Sequence, residues 1–578
     1  MDRHNQTHYK PVSKLAPNQW DMLASIIVFG SLILLGWAAT QMTGPYHLGD
    51  SIPISLDPLQ LPYYALRTVL RMFIAMFFSL LFTLTVGTWA AKSKRAESLI
   101  IPAIDILQSV PILGFLSITI VGFIILFPNS MLGPECACIF VVFTAQAWNM
   151  VLSFYQSLKT LPGNLREASS MFHLTAWQRF WKIEVPFSIP SLLWNMMMSM
   201  SASWFMIVYS EAIPVAGQDI NLPGIGSYIA VAIKQANTQA VVYAIIAMLV
   251  VILLYDQLLF RPLIKWSEKF RLETLSEEYT PKPWFSILLQ RTRLLGYVGY
   301  IFTKLSDSFI NLPLTKKTSA KGTTYKTTSP YLDYVWYTLI VVAISASLLF
   351  IYKYVLVVIP LAEIGRVFVL GIFTSLRVIV LIVLCSLFWF PIGVWVGRHP
   401  RAAKFIQPCA QFLAAFPANL LFPVAVMAIL AFHLNVEIWV TPLMILGTQW
   451  YILFNVVAGA SSLPKELYLV SDNFGVKGWL WWRRLIIPGV FPYYITGAIT
   501  AAGGAWNASI AAEVVSWGST TLTATGLGAY IVQQTLAGDF ARIALGVIVM
   551  CLYVLAFNRL IWQPLYNLAQ RNFQLDAV

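Results

Sequence analysis

Long apolar runs alternate with short polar, basic stretches along this chain, and their spacing recurs in a second half. A run near 20 residues crosses a hydrocarbon core as a helix. In lipid every backbone group must be satisfied within its own segment, which favours helices over open sheet. Spans are expected at about 22–40, 65–91, 99–127, 135–157, 187–212 and 239–262, then at about 333–359, 367–397, 405–431, 436–460, 489–514 and 541–562. The predicted fold class is an all-α polytopic membrane protein, with about 12 transmembrane helices as two parallel six-helix repeats. The first run, about Met22 to Ala39, reads as a span rather than a cleaved leader.

The repeat is visible residue by residue. Thr68–Arg71 (TVLR) matches Thr374–Arg377 (TSLR), Gly87 matches Gly393, Pro102 matches Pro408, and Pro111 in SVP matches Pro417 in AFP, all at an offset of 306. The offset then becomes 302, pairing Trp148 with Trp450, Leu161-Pro162 with Leu463-Pro464, Pro186 with Pro488, Trp204 with Trp506, and Glu211 with Glu513. GIGSYI (Gly224–Ile229) pairs with GLGAYI (Gly526–Ile531). An even number of spans per half makes the halves parallel, with a pathway between them. The expected organisation is a first repeat at 1–262, a basic linker at 263–331 and a second repeat at 332–578.

Arg and Lys mark the cytoplasmic side of a membrane protein. They cluster at the amino terminus (Arg3, Lys10, Lys14), at Lys92–Arg95, around Lys159–Lys182, at Arg398–Lys404 and at Lys465–Arg484. The expected outer loops 41–64 and 518–540 contain none; Lys234 and Arg366 are exceptions. Both termini are therefore expected in the cytoplasm. Within the linker, Leu294, Val298, Ile301, Leu305 and Phe309 recur at helical spacing. They predict an amphipathic helix, lying in the membrane interface or packed on the protein itself.

Composition agrees with the pattern. Of 578 residues 58% are hydrophobic and 11% charged, against about 25% charged in a soluble domain. The net charge of +13 follows membrane topology and does not call for nucleic acid. The five cysteines make no disulfide framework; Cys136 and Cys138 read as small packing residues, and His47 and His433 as outer-loop residues rather than metal ligands.

Two inner stretches stand out: REASSMFHLTAWQRFWKIEVP (Arg166–Pro186) and YLVSDNFGVKGWLWWRRLIIP (Tyr468–Pro488). Phe172 aligns with Phe474 and Trp177 with Trp479, and each stretch ends in a proline entering the next span. In the first, Phe172, Ala176, Phe180 and Ile183 give an apolar helical face that could be shown to a cytosolic partner. These stretches resemble the signature loop of binding-protein-dependent ABC importer permeases: Glu-Ala-Ala, three residues, Gly, and a later Ile-x-x-Pro ending. Glu167, Ala168 and Ser169 stand at the Glu-Ala-Ala positions, with Ile183 and Pro186 at the end; the second copy keeps Gly475 and ends in Leu485 and Pro488. With the TLR-, SVP- and GLG-like elements, the repeat unit is most similar to the nitrate/taurine/sulfonate type, with two permease units fused in one chain.

The resemblance implies that each loop forms a coupling helix docked on a cytosolic ATPase subunit, two ATPases in all, with ATP and Mg bound there and no cofactor on this chain. It further implies an extracytoplasmic substrate-binding protein that delivers a small-molecule solute, and a bacterial inner-membrane location. No G-x-x-x-x-G-K-[ST] phosphate loop occurs, so the chain is expected to be a transport subunit and not an enzyme. Two departures matter. His173 stands where the family has Gly, and Leu469, Val470 and Ser471 replace Glu-Ala-Ala, so unequal docking sites are expected.

Charges inside spans are candidate functional groups. Arg71 and Arg377 occupy equivalent places and could face an anionic solute, snorkel outward, or pair with Glu211 and Glu513. Trp204 and Trp506 could line the pathway or pack between helices. A sulfonate or nitrate is the expected kind of solute. The competing expectation is a secondary transporter driven by an ion gradient, which twelve spans in parallel halves also fit.

Overall fold

The computed structural model describes residues 19–47, 52–215, 218–270, 284–292, 294–312 and 330–573. Eight helices among them are long and apolar enough to cross a membrane: Pro58–Lys92, Leu132–Lys159, Ala176–Ser210, Thr238–Phe270, Tyr334–Val355, Leu361–Arg398, Gly478–Ala512 and Phe540–Ala569. Each coincides with an expected span. The first expected span is a helix from Gln19 to Thr40.

The other three expected spans are broken, each for a local reason. The run 99–127 divides into Lys94–Ser109 and Leu116–Leu126. The run 405–431 is Pro400–Ala415 followed by Ala418–Ala431, bent by 80°. Both breaks fall at the repeated prolines. A residue before proline is driven out of the helical region, and Val110 (ψ 127°) and Phe416 (ψ 129°) are extended accordingly. The run 436–460 becomes Val436–Trp439, Thr441–Met444 and Trp450–Ser462, whereas its counterpart Leu132–Lys159 is one helix. Pro442 and Gly447 stand where the first half has Phe140 and Ala145, and both disfavour a helix interior.

The all-α polytopic expectation holds, with two short hairpins added to it. Ala212–Val215 pairs with Gln218–Asn221, and Val514–Trp517 with Thr520–Thr523, as two antiparallel hairpins. The first strands of the two hairpins, AIPV and VVSW, do not alternate apolar with polar residues and so leave no period-two signal. The repeat extends to backbone detail. The hairpins start 302 residues apart, as do the π-helical turns Phe180–Glu184 and Trp482–Ile486, and Asp256–Phe260 and Asn558–Trp562.

The chain forms two compact units. Among the described residues, one comprises 19–38, Thr160–Leu193, 254–270, 284–292 and 294–312. It holds the first inner loop and the linker helices Trp284–Arg291 and Leu294–Ile310, and the Arg291 guanidinium lies 5.1 Å from the Trp20 ring centre. The other comprises the described residues of 39–159, 194–253 and 330–573. Its core interlocks both halves: Leu113 and Leu116 join Trp506, Ile510 and Val547 in one buried cluster. Asn507 Oδ1 accepts from the Ile112 amide at 2.7 Å, and the Gly518 amide donates to the Ile233 carbonyl at 2.9 Å.

Candidate functional site

Three features repeat between the halves or lie between them: two ion clusters, a cavity and two inner loops. In the first half, the helix 61–82 places Arg67, Thr68 and Arg71 on one buried face. Arg71 makes a two-pronged contact with Glu135 (Nε–Oε2 2.5 Å, Nη2–Oε1 2.8 Å) and a third bond to Glu211 Oε1 at 2.6 Å. Arg67 adds a bond to Glu135 at 2.6 Å. Thr68 donates to Glu211 at 2.7 Å and accepts from the Ile225 amide at 3.1 Å. All four charged residues are buried. Two guanidiniums face two carboxylates, so the cluster is neutral and most of its donors are spent internally.

The GIG motif explains itself here. The Gly226 amide donates to Glu211 Oε2 at 2.7 Å. A Cβ on Gly226 would stand 2.1 Å from the Val208 carbonyl oxygen, and one on Gly224 would stand 2.3 Å from the Glu211 carboxyl. Only glycine lets this backbone reach the carboxylate.

The second half repeats the design with looser packing. Thr374 donates to Glu513 at 2.8 Å, Arg377 reaches Glu513 at 3.1 Å, and the Leu527 amide donates to Thr374 at 2.9 Å. Arg377 also pairs with Glu437, the equivalent of Glu135, which is 45% exposed. Phe373 stands at the position of Arg67. Sequence reading named Arg71, Arg377, Glu211 and Glu513 but missed Arg67, Glu135 and Glu437. The acidic pair at the 302 offset was the available signal for the last two.

The cavity lies in the same unit, has a volume of about 230 Å³ and is lined by both halves. Thr144, Trp148, Asn149 and Ser201 come from the first, and Thr448, Tyr451, Thr500, Trp506 and Asn507 from the second. None of the described lining residues is charged. Of the proposed pathway residues only Trp506 lines it; Trp204 is buried elsewhere, and the two arginines and two glutamates are in the ion clusters. Trp148 Nε1 and Thr448 Oγ1 are buried without a hydrogen-bond partner among the described residues. An orphan polar group costs about 1–3 kcal/mol, and both atoms are closed to water in this state, so the wall must shift before either can meet a ligand.

The inner loops share one plan. In the first, helix Gly163–Met171 carries Glu167 exposed, Ala168 half-buried and Ser169 buried, with Ser169 Oγ donating to the Arg166 carbonyl at 2.6 Å. A turn at His173 leads to Thr175, whose capping box with Gln178 starts the next helix at Ala176. In the second, helix Lys465–Asn473 carries Leu469 and Val470 exposed and Ser471 buried, and the turn at Gly475 leads to a helix at Gly478. Pro186 and Pro488 closely follow the π-helical turns Phe180–Glu184 and Trp482–Ile486 inside the continuous helices Ala176–Ser210 and Gly478–Ala512, where a widened turn accommodates the missing amide. Near the inner end of the first half, bonds from Lys159 (2.8 Å) and Tyr155 (2.5 Å) hold the Glu97 carboxyl below the usual carboxylate range.

His173 (φ 50°) and Gly475 (φ 63°) occupy the same left-handed position. The family glycine is thus a conformational requirement, and a non-glycine there costs about 1 kcal/mol. His173→Gly is expected to slow amide exchange of residues 168–178 about fivefold, and Gly475→Ala to speed it in the second loop by a similar factor. Exchange mass spectrometry on the detergent-purified chain checks both.

Residues 83–260 and 389–563 each match the family model of the binding-protein-dependent transport system inner membrane component. A 126-residue segment is 31% identical to the bicarbonate transport system permease protein CmpB of Synechocystis sp., covering 22% of this chain and 44% of that protein. The glycine betaine transport system permease protein OpuAB of Bacillus subtilis is 23% identical over 193 residues, 33% of this chain and 63% of the relative. The nitrate import permease protein NrtB of Leptolyngbya laminosa is 22% identical over 185 residues, 32% and 63% respectively. The matched segment spans less than two thirds of each of these relatives.

Proposed function

From the premise that the chain belongs to the family of binding-protein-dependent transport system inner membrane components, and carries two such permease units, we propose that it forms the solute pathway of an ATP-driven importer. The pathway runs between its two halves in an inner membrane, with both termini in the cytoplasm. Two cytosolic ATPase subunits dock on the loops around Glu167 and Gly475, and an extracytoplasmic binding protein delivers solute to the outer side. The observation that carries this reading is the repeated helix–left-handed turn–helix at equivalent inner loops. Affinity purification of the tagged chain in mild detergent, with mass spectrometry and an ATP hydrolysis assay, tests it. Recovery of an ATPase supports the reading. A chain that purifies alone and moves solute in liposomes on an ion gradient without ATP overturns it.

The cavity favours a small oxyanion read by neutral donors. Bicarbonate and nitrate are planar oxyanions, and glycine betaine carries a carboxylate. The arginines at 71 and 377 are committed to glutamates, whereas the cavity offers indole, hydroxyl and amide groups. Neutral donors hold an anion loosely enough to release it, as conduction requires. A hydrogen bond to a charged group contributes about 1.5–3 kcal/mol. Asn149→Leu, which removes an exposed amide from the cavity lining and nearly keeps the side chain's size, is therefore expected to raise the half-saturating solute concentration about tenfold. Uptake into proteoliposomes with the binding protein present measures this; basal ATP hydrolysis should not change.

A further inference from the structure

The two inner loops differ in one respect that their repeat does not predict. In the first, the linker helix Leu294–Ile310 lies against the helix that follows the His173 turn. The Trp177 indole N–H donates to the Phe309 carbonyl at 3.0 Å, and the Phe309 ring meets the Trp177 and Trp181 rings edge-on at 5.2 and 5.7 Å between centres. Asn311, just past the helix, accepts from Lys182 at 3.2 Å and from Gln178 at 3.4 Å. The second loop shows the equivalent tryptophan uncovered: Trp479 is 72% exposed, while Phe172 and Phe474 stay exposed in both loops.

We propose that the linker helix is a built-in competitor for the first loop, covering the aromatic surface that an ATPase subunit would use there. This rests on the importer reading given above. The contact is made of few elements: one aromatic ring, one carbonyl and one side-chain amide. It holds the loop without embedding it, since Ile301 and Leu305 remain exposed on the same helix. The ATPase pair accordingly engages the second loop first, and the first only after the linker helix has moved aside. The polypeptide that joins the two halves thereby sets the resting hydrolysis rate.

The test uses the full chain with its ATPase subunits. In a background where the exposed Cys409 is serine, Lys182→Cys and Asn311→Cys are joined by a short bis-methanethiosulfonate, which a reductant removes. Bridging is expected to lower ATP hydrolysis at least fivefold, and reduction to restore it, which separates a blocked loop from a misfolded chain. Phe309→Ala with Asn311→Ala, which releases the helix, is expected to raise basal hydrolysis severalfold. Failure of the bridge to form, or equal hydrolysis in bridged, reduced and released forms, overturns the proposal. Failure of the parent reading looks different: Phe474→Glu in the second loop would then leave ATPase recovery unchanged, whatever the bridge does.

Discussion

Arg71→Met is expected to destabilise the chain by about 3–5 kcal/mol, the cost of breaking a buried ion cluster by removing one partner. Arg71 is fully buried and holds Glu135 and Glu211 together. Without it, Glu211 keeps a hydroxyl and an amide but no cation, and Glu135 keeps only Arg67. Uncompensated charge inside a membrane protein is costly in the same direction. Arg377→Met is expected to cost less, because Glu437 is 45% exposed and can rehydrate, although the buried Glu513 also loses this cation. Intrinsic tryptophan fluorescence on heating in detergent measures the two midpoints side by side. Equal losses would mean that the two ion clusters are energetically alike, and the asymmetry read from burial would be wrong.

The second large effect concerns docking. Exposed aromatic residues that become buried on association commonly dominate an interface, at about 2 kcal/mol or more each. Trp479→Ala is therefore expected to weaken ATPase association about thirtyfold. Trp177→Ala at the equivalent site is expected to do little or even to strengthen association, since that indole is already engaged by Phe309 in the resting chain. Binding of purified ATPase subunits to the immobilised permease distinguishes them. A larger loss from Trp177→Ala would reverse the proposed order of engagement.

Much of this architecture was legible in the residues. Collinear matches at two offsets disclosed the repeat, and hydropathy disclosed most spans, because lipid imposes a length and an apolarity that few other constraints mimic. What stayed hidden was tertiary. Glu135 opens an apolar run beside Cys136 and Cys138, and nothing local says that it meets Arg71 across 64 residues. Arg67 has no counterpart to flag it. The prolines at 111 and 417 were seen as repeat markers, but that each would break a span follows from the geometry of the preceding residue. Pro442 and Gly447 were passed over inside a run that hydropathy alone scores as continuous. The linker helix was predicted from periodicity and is present; that its end meets Trp177 depends on the fold.

The neutrality of the first ion cluster and of the cavity wall has an electrical consequence. A charge carried through a membrane potential exchanges about 2.3 kcal/mol per 100 mV. Arg67, Arg71, Glu135 and Glu211 sum to zero and would move as one body, and the described cavity lining brings no charge of its own. Rearrangement of these parts thus draws nothing from the membrane voltage. On the importer reading, the current recorded per turnover would be that of the solute and of any shift of the second cluster, where Arg377, Glu437 and Glu513 sum to −1, and an anion entering a cell held negative inside would be driven uphill at the expense of the nucleotide.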